Sequence, residues 1–150
     1  MLNIRNYMAA DHRQCDAVFA TAEQAVAAQD WGRATAAFVQ FQSAVLQHFA
    51  AEESLLFPAF EAQTGMLGGP TQVMRGEHVQ MRELMEAARA ALLARDAQDY
   101  GGNTETLLFM MQQHNMKEEN VLYPMCDQQL AAQVDVLLPQ LQIKIQGRAE

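Results

Sequence analysis

"HFAAEESLLFP", residues 48–58, and "HNMKEENVLYP", residues 114–124, place a histidine, two glutamates, a leucine, an aromatic residue and a proline at the same relative positions, 66 residues apart. In a helix turning about 100° per residue, His48 and Glu52 project within about 40° of each other, as do His114 and Glu118. Glu53 and Glu119 lie about 140° from their histidines and are expected to face solvent or to stand behind the inward groups. The likeness reaches further back, because "MAADHRQ" (8–14) and "MRGEHVQ" (74–80) keep the same offset. Each half of the chain therefore reads M-x-x-[DE]-H-x-Q and then H-x-x-x-E-E-x-[LV]-L-[FY]-P.

Around these stretches the pattern is helical throughout. Apolar residues recur at three- and four-residue steps over about 5–28, 33–62, 70–95 and 103–126, with a shorter segment over about 128–146. Breaks are expected at "QDWG" (29–32), "TGMLGGP" (64–70) and "QDYGGN" (98–103), where glycine tolerates positive φ and Asp or Asn caps the next helix. Short connections between long helices predict an all-α fold, an antiparallel up-down-up-down four-helix bundle with a short C-terminal helix. The 150 residues are expected to form a single domain with an internal repeat of helical hairpins, about 8–60 and 74–126. "AQDW" and "AQDY" lie 69 apart, which implies a slip of three residues in the loops while the histidines hold their register.

Composition removes several classes of function. Ten Lys and Arg against 18 Asp and Glu give a formal charge of −8, which repels nucleic acid and anionic membranes. No stretch approaches the length of a membrane span and no basic, apolar and small-residue leader opens the chain, so a soluble cytoplasmic protein is expected. Cys15 and Cys126 form no CxxC pair and are expected to be small buried hydrophobes rather than a disulfide or a zinc ribbon.

All four histidines, His12, His48, His78 and His114, fall inside the repeated pattern, one on each long helix. One histidine on an apolar helix face is ordinarily a core residue with a single hydrogen bond, and one His/Glu pair at i, i+4 is ordinarily a surface ion pair. Four in register under one repeat, with Glu52 and Glu118 one turn on, point instead to a metal site built from facing helices. Four imidazoles and two carboxylates without a thiolate suit iron, manganese or zinc, and do not suit calcium or magnesium. They are too many for one tetrahedral zinc. If each glutamate bridges two metals and an oxide or hydroxide completes the bridge, ten of the twelve positions of two octahedra are filled, and each metal keeps one open position.

"DH" at 11–12, "HFAAEE" at 48–53, "EH" at 77–78 and "HNMKEE" at 114–119 together resemble the hemerythrin-like, or HHE cation-binding, domains over residues 8–125. The resemblance implies two iron ions in a non-haem, oxo- or hydroxo-bridged centre inside a four-helix bundle. Carried over by position, its ligands are His12, His48, Glu52, His78, His114 and Glu118. It also implies binding of, or response to, oxygen, nitric oxide, peroxide or iron supply in sensing, storage or stress response. Alternatives are a peroxide- or nitric-oxide-consuming oxidoreductase, or an iron donor for iron-centre repair. Oxygen-carrying hemerythrins have two histidines four apart on the third helix, whereas here Met74 precedes His78 by four and Arg82 follows it by four. Met74 is matched by Met8, four before His12, and both are expected to wall the site with apolar, polarisable surface. The repair proteins carry an additional N-terminal cysteine-containing segment, and eleven residues precede His12 here.

Asp11 and Glu77 either accept the free N–H of a ligand histidine or face solvent, and helical arithmetic, which puts them about 100° from the neighbouring histidines, favours solvent; it also turns Tyr7 and Tyr123 away from the ligand face. Pro58 and Pro124 are expected to kink or end the second and fourth helices beyond the site. The segment "VDVLLPQLQI" (134–143) is expected to cap the apolar end of the bundle or to contribute to a homo-oligomer contact.

Overall fold

The structure, a computed structural model, describes residues 2–147, which are almost wholly helical and contain no strand among the described residues. Helix α1 spans Ile4–Ala27. Helix α2 (Trp31–Ala51) runs through a five-residue π-helical turn, Glu52–Leu56, into α3 (Phe57–Thr64). Helix α4 spans Pro70–Leu93, and α5 (Ala97–Lys117) runs through a second π turn, Glu118–Leu122, into α6 (Tyr123–Gln129). The last helix, α7, is Val134–Gln146. No described helix is long and apolar enough to cross a membrane.

Local chemistry sets most of the ends. Asn3, Asp30 and Asp96 each accept a backbone N–H three residues on, capping α1, α2 and α5, and Pro70 opens α4 where its missing N–H costs nothing. Helices α1 and α4 end alike. Gln29 and Arg95 adopt φ of +56° and +53°, and the N–H groups of Asp30 and Asp96 donate back to the carbonyls of Ala25 and Ala91, 2.9 Å away in both cases. These paired ends correct the sequence reading in one place. The break precedes "QDYGGN", which lies inside α5, and every boundary from Ile4 to Lys117 that has a counterpart keeps the offset of 66, so the loops do not slip by three. Tyr100 and Thr104 are buried there, and the capped, packed first turns of α5 carry Gly101 and Gly102 despite their poor helix propensity.

Helix α1 packs along α2 and α4 along α5, the two pairs meeting through α2 with α4 and α1 with α5 and α6. Asp127 of α6 ties the pairs together by accepting the N–H groups of Ile4 (2.8 Å) and Arg5 (3.1 Å). The apolar side chains divide into two clusters. One, with Phe19, Phe38, Phe41, Met81, Met85 and Leu107, fills the end near the α1–α2 and α4–α5 turns. The other, with Ile4, Met8, Leu56, Phe57, Phe60, Met74 and Leu122, is closed by Leu137, Leu141 and Ile145 of α7. The C-terminal helix thus covers the apolar end, as expected from its sequence, and Cys15 and Cys126 are buried and form no disulfide. Each fully buried Phe or Leu contributes roughly 1.5–3 kcal/mol. Between the two clusters lies a layer of buried polar groups.

Candidate metal centre

His12, His48, Glu52, His78, His114 and Glu118 make up that layer, and all six are buried. Glu52, His78, His114 and Glu118 bring one ligand atom each within a single small volume, and His12, His48 and Glu118 form a second such group beside it. The two carboxylates span both groups. One oxygen of Glu52 is 3.1 Å from His78 Nε2 and the other is 3.6 Å from His48 Nε2. Glu118 Oε1 lies 3.2 Å from His12 Nε2 and 3.3 Å from His114 Nε2. Proximity here is not hydrogen bonding. Glu52 Oε1, His78 Nε2, His114 Nε2 and Glu118 Oε2 are buried without a hydrogen-bond partner, even though some stand within about 3 Å of each other. Atoms arranged so face a common point between them rather than one another. Since a buried polar group without a partner costs about 1–3 kcal/mol, a cation at that point is the fitting occupant for such donors.

Each imidazole is oriented from behind. His12 Nδ1 is 2.7 Å from Glu119, His48 Nδ1 2.7 Å from Asp11, His78 Nδ1 2.7 Å from Glu53, and His114 Nδ1 2.8 Å from Glu77. With a carboxylate accepting at Nδ1, the proton sits there and the Nε2 lone pair is left for a cation. Asp11, buried, and Glu77, part-exposed, therefore act as acceptors behind the rings, which corrects the preference for solvent in the sequence reading. Spacing along one helix showed only that they diverge from the neighbouring histidine, whereas each serves a histidine on the adjacent helix. Glu53 and Glu119 reach across from one helix pair to the other. Arg82 fixes Glu53 with two contacts of 2.9 Å, and Lys117 Nζ donates to Glu77 Oε2.

Tyr123 is the second correction. Its side chain is fully buried, with Oη 2.7 Å from Glu52 Oε2, 2.9 Å from Glu118 Oε1, 3.1 Å from His48 Nε2 and 3.3 Å from His12 Nε2. The cause is the π turn, in which the Tyr123 N–H donates to the Glu118 carbonyl five residues back. A π turn adds a residue to the turn, so i and i+5 align where α-helical counting puts them about 140° apart. At the matching position Phe57 N–H donates to the Glu52 carbonyl, and the Phe57 ring lies 5.8 Å from His78. The only sequence signal was the proline that follows each turn, a residue that cannot donate to the ordinary helical ladder. Pro58 and Pro124 do not end the helices. The backbone loosens before them, at Glu52 and Glu118, and α3 and α6 continue beyond. Met8 and Met74 are buried in the cluster below the layer, together with Phe57 and Tyr123. Tyr7 is part-buried against the same cluster.

Charge is concentrated in the layer. Burial opposes a protonated His48, but Glu52 and Asp11 outweigh it and raise the pKa to about 10. At His114 burial is likewise overcome, chiefly by Glu118, and the pKa rises to about 9. Glu118 itself is held well below the ordinary carboxylate range, burial being outweighed by His114 and its other neighbours. Burial, together with Glu118 and Glu52, lifts the Tyr123 phenol well above its ordinary value. Without a cation the imidazoles compete for protons, so cation uptake must release them and strengthens as pH rises.

A helical bundle with a buried histidine and carboxylate layer is the architecture of a cation-binding domain. The family model for the hemerythrin HHE cation-binding domain matches residues 3–126, and the chain belongs to that family. No curated protein and no solved structure matches it at a significant level.

Proposed function

We propose that His12, His48, Glu52, His78, His114 and Glu118 hold two iron ions and that the protein binds or reacts with small ligands such as oxygen, nitric oxide or peroxide. Its role would lie in sensing, storage or stress response. The observation that carries this reading is the set of buried carboxylate and imidazole atoms that lack hydrogen bonds and converge on shared points. Four nitrogens with two carboxylates exceed what tetrahedral zinc takes, and favour iron over the oxygen-seeking cations. Iron, when bound, supplies a change of oxidation state and positions at which small molecules exchange. The protein's own part is to hold the donors rigidly. Asp11, Glu53, Glu77 and Glu119 fix the four rings, and Phe49, stacked 3.8 Å from His78, and Phe57 exclude water from one side. The same reading takes the fold as an up-down-up-down bundle in one domain, made of duplicated hairpins over about 8–60 and 74–126.

The test is anaerobic loading of the full chain with iron(II), followed by metal analysis, a spectrum after air, and melting with and without chelator. Two irons per chain, a new near-ultraviolet absorption after air and a lower melting temperature after chelation are expected, since a cation bound only by the folded state stabilises it. Unchanged melting on chelation together with substoichiometric iron would sink the reading.

A further inference from the structure

Tyr123 Oη has four neighbours at 2.7, 2.9, 3.1 and 3.3 Å, namely Glu52 Oε2, Glu118 Oε1, His48 Nε2 and His12 Nε2. A phenol has one proton, and two carboxylate oxygens stand within 2.9 Å of it, so hydrogen bonding leaves one of them in lone-pair contact with the phenol oxygen even when both imidazoles carry a proton on Nε2 and donate it. Coordination geometry accounts for all four. Bonds of about 2.0–2.2 Å place adjacent donors of an octahedron about 3 Å apart, √2 times the bond. An apical donor has four such neighbours.

We propose that Tyr123 is a metal ligand, its phenol oxygen taking a coordination position on the His12 and His48 side of the centre. This rests on the metal-binding reading above. On binding, the phenolic O–H bond breaks, the proton leaves to solvent and an oxygen–metal bond forms, with no electron transferred. Phe57, which stands where the repeat would place a second phenol, offers no oxygen. The two metals are consequently unlike. The one near His12 and His48 has five protein donors, and the one near His78 and His114 has four, with Phe49 and Phe57 as its walls. Exchangeable small ligands belong on the His78 and His114 side, which revises the count of one open position on each metal.

The experiment uses the full chain loaded anaerobically with iron(II) and oxidised in air. The wild-type protein is expected to show a visible phenolate-to-iron(III) charge-transfer band, and Raman excitation in that band should enhance phenolate ring vibrations that shift when tyrosine is ring-deuterated. Tyr123→Phe, compared with the wild-type protein at equal bound iron, is expected to lose both signals. A fully loaded wild-type protein without the enhanced ring vibrations overturns the assignment, as does a loaded variant that keeps the band. The deuteration measurement needs no variant, so a poorly folding Tyr123→Phe does not decide the outcome. Absence of iron uptake by the wild-type protein would instead overturn the metal-binding reading, and this proposal with it.

Discussion

The α1–α2 pair and the α4–α5 pair have nearly the same backbone and different chemistry. Helices α1 and α4 are 24 residues each, α2 and α5 are 21, both pairs turn through a left-handed residue before a capping aspartate, and both continue into a π turn of five. The backbone of either pair would serve the other. What differs are side chains at matching positions: Phe57 against Tyr123, Phe49 against Asn115, and buried Asp11 against part-exposed Glu77. A near-symmetric scaffold thus presents one apolar flank and one flank with an oxygen atom. The comparison teaches that the repeat conserves where side chains point, while single residues decide what each side of the centre can do.

The flanks are where the comparison is broken most forcefully. Phe57→Ala removes a fully buried ring packed near His78 and under Arg75, and is expected to cost about 3–5 kcal/mol of metal-free stability. Tyr123→Phe keeps the ring and deprives Glu52 of its donor, at about 1–3 kcal/mol. Urea denaturation of the two metal-free variants checks the order, and equal losses would mean that the flanks are equivalent after all.

Next come the carboxylates behind the rings. Asp11→Asn is expected to weaken metal binding roughly 10–100-fold in a chelator competition, because it disturbs the tautomer of His48 in a site that water cannot repair. Glu77→Gln should lose less, since its side chain is 19% exposed and water can replace it. A larger loss for Glu77→Gln would reverse the argument from burial.

The smaller effects concern the scaffold. Gly101 and Gly102 stand in α5 where α2 has Thr35 and Ala36, and a methyl group at either glycine meets nothing within 4 Å. Each Gly→Ala change is expected to stabilise by about 0.5–1 kcal/mol, seen as a higher denaturant midpoint with unchanged slope. Last is the acid side. Burial of Glu53 is outweighed by His78 and Arg82, which hold its pKa down to about 2. A carboxylate depressed on folding adds stability above its unfolded pKa, about 4.3, and loses it as pH falls through the folded value. Arg82→Ala should therefore make the fall in metal-free stability between about pH 4 and pH 2 shallower, measured by denaturation at several pH values.

Much of this was legible from residues alone. Helix lengths followed from apolar spacing, and the α1–α2 turn from "QDWG". The glycines of "QDYGGN" point to the wrong place for the α4–α5 turn, because the left-handed position belongs to Arg95 and the cap to Asp96. The roles of Asp11 and Glu77 are not legible in this way, because a helix's own period says nothing about a partner on the next helix. Tyr123 falls off the ligand face in any count that runs an unbroken α-helix through Glu118–Leu122, where the chain makes a π turn.

The sequence by itself determined the helical fold and the six inward histidines and glutamates, because a side chain's direction on a regular helix depends only on its spacing, and the doubled pattern supplied that spacing twice. Only the tertiary structure decided which carboxylate backs which histidine, since those contacts join different helices. It also decided that Tyr123 turns inward, since a π turn shifts everything beyond it by one residue.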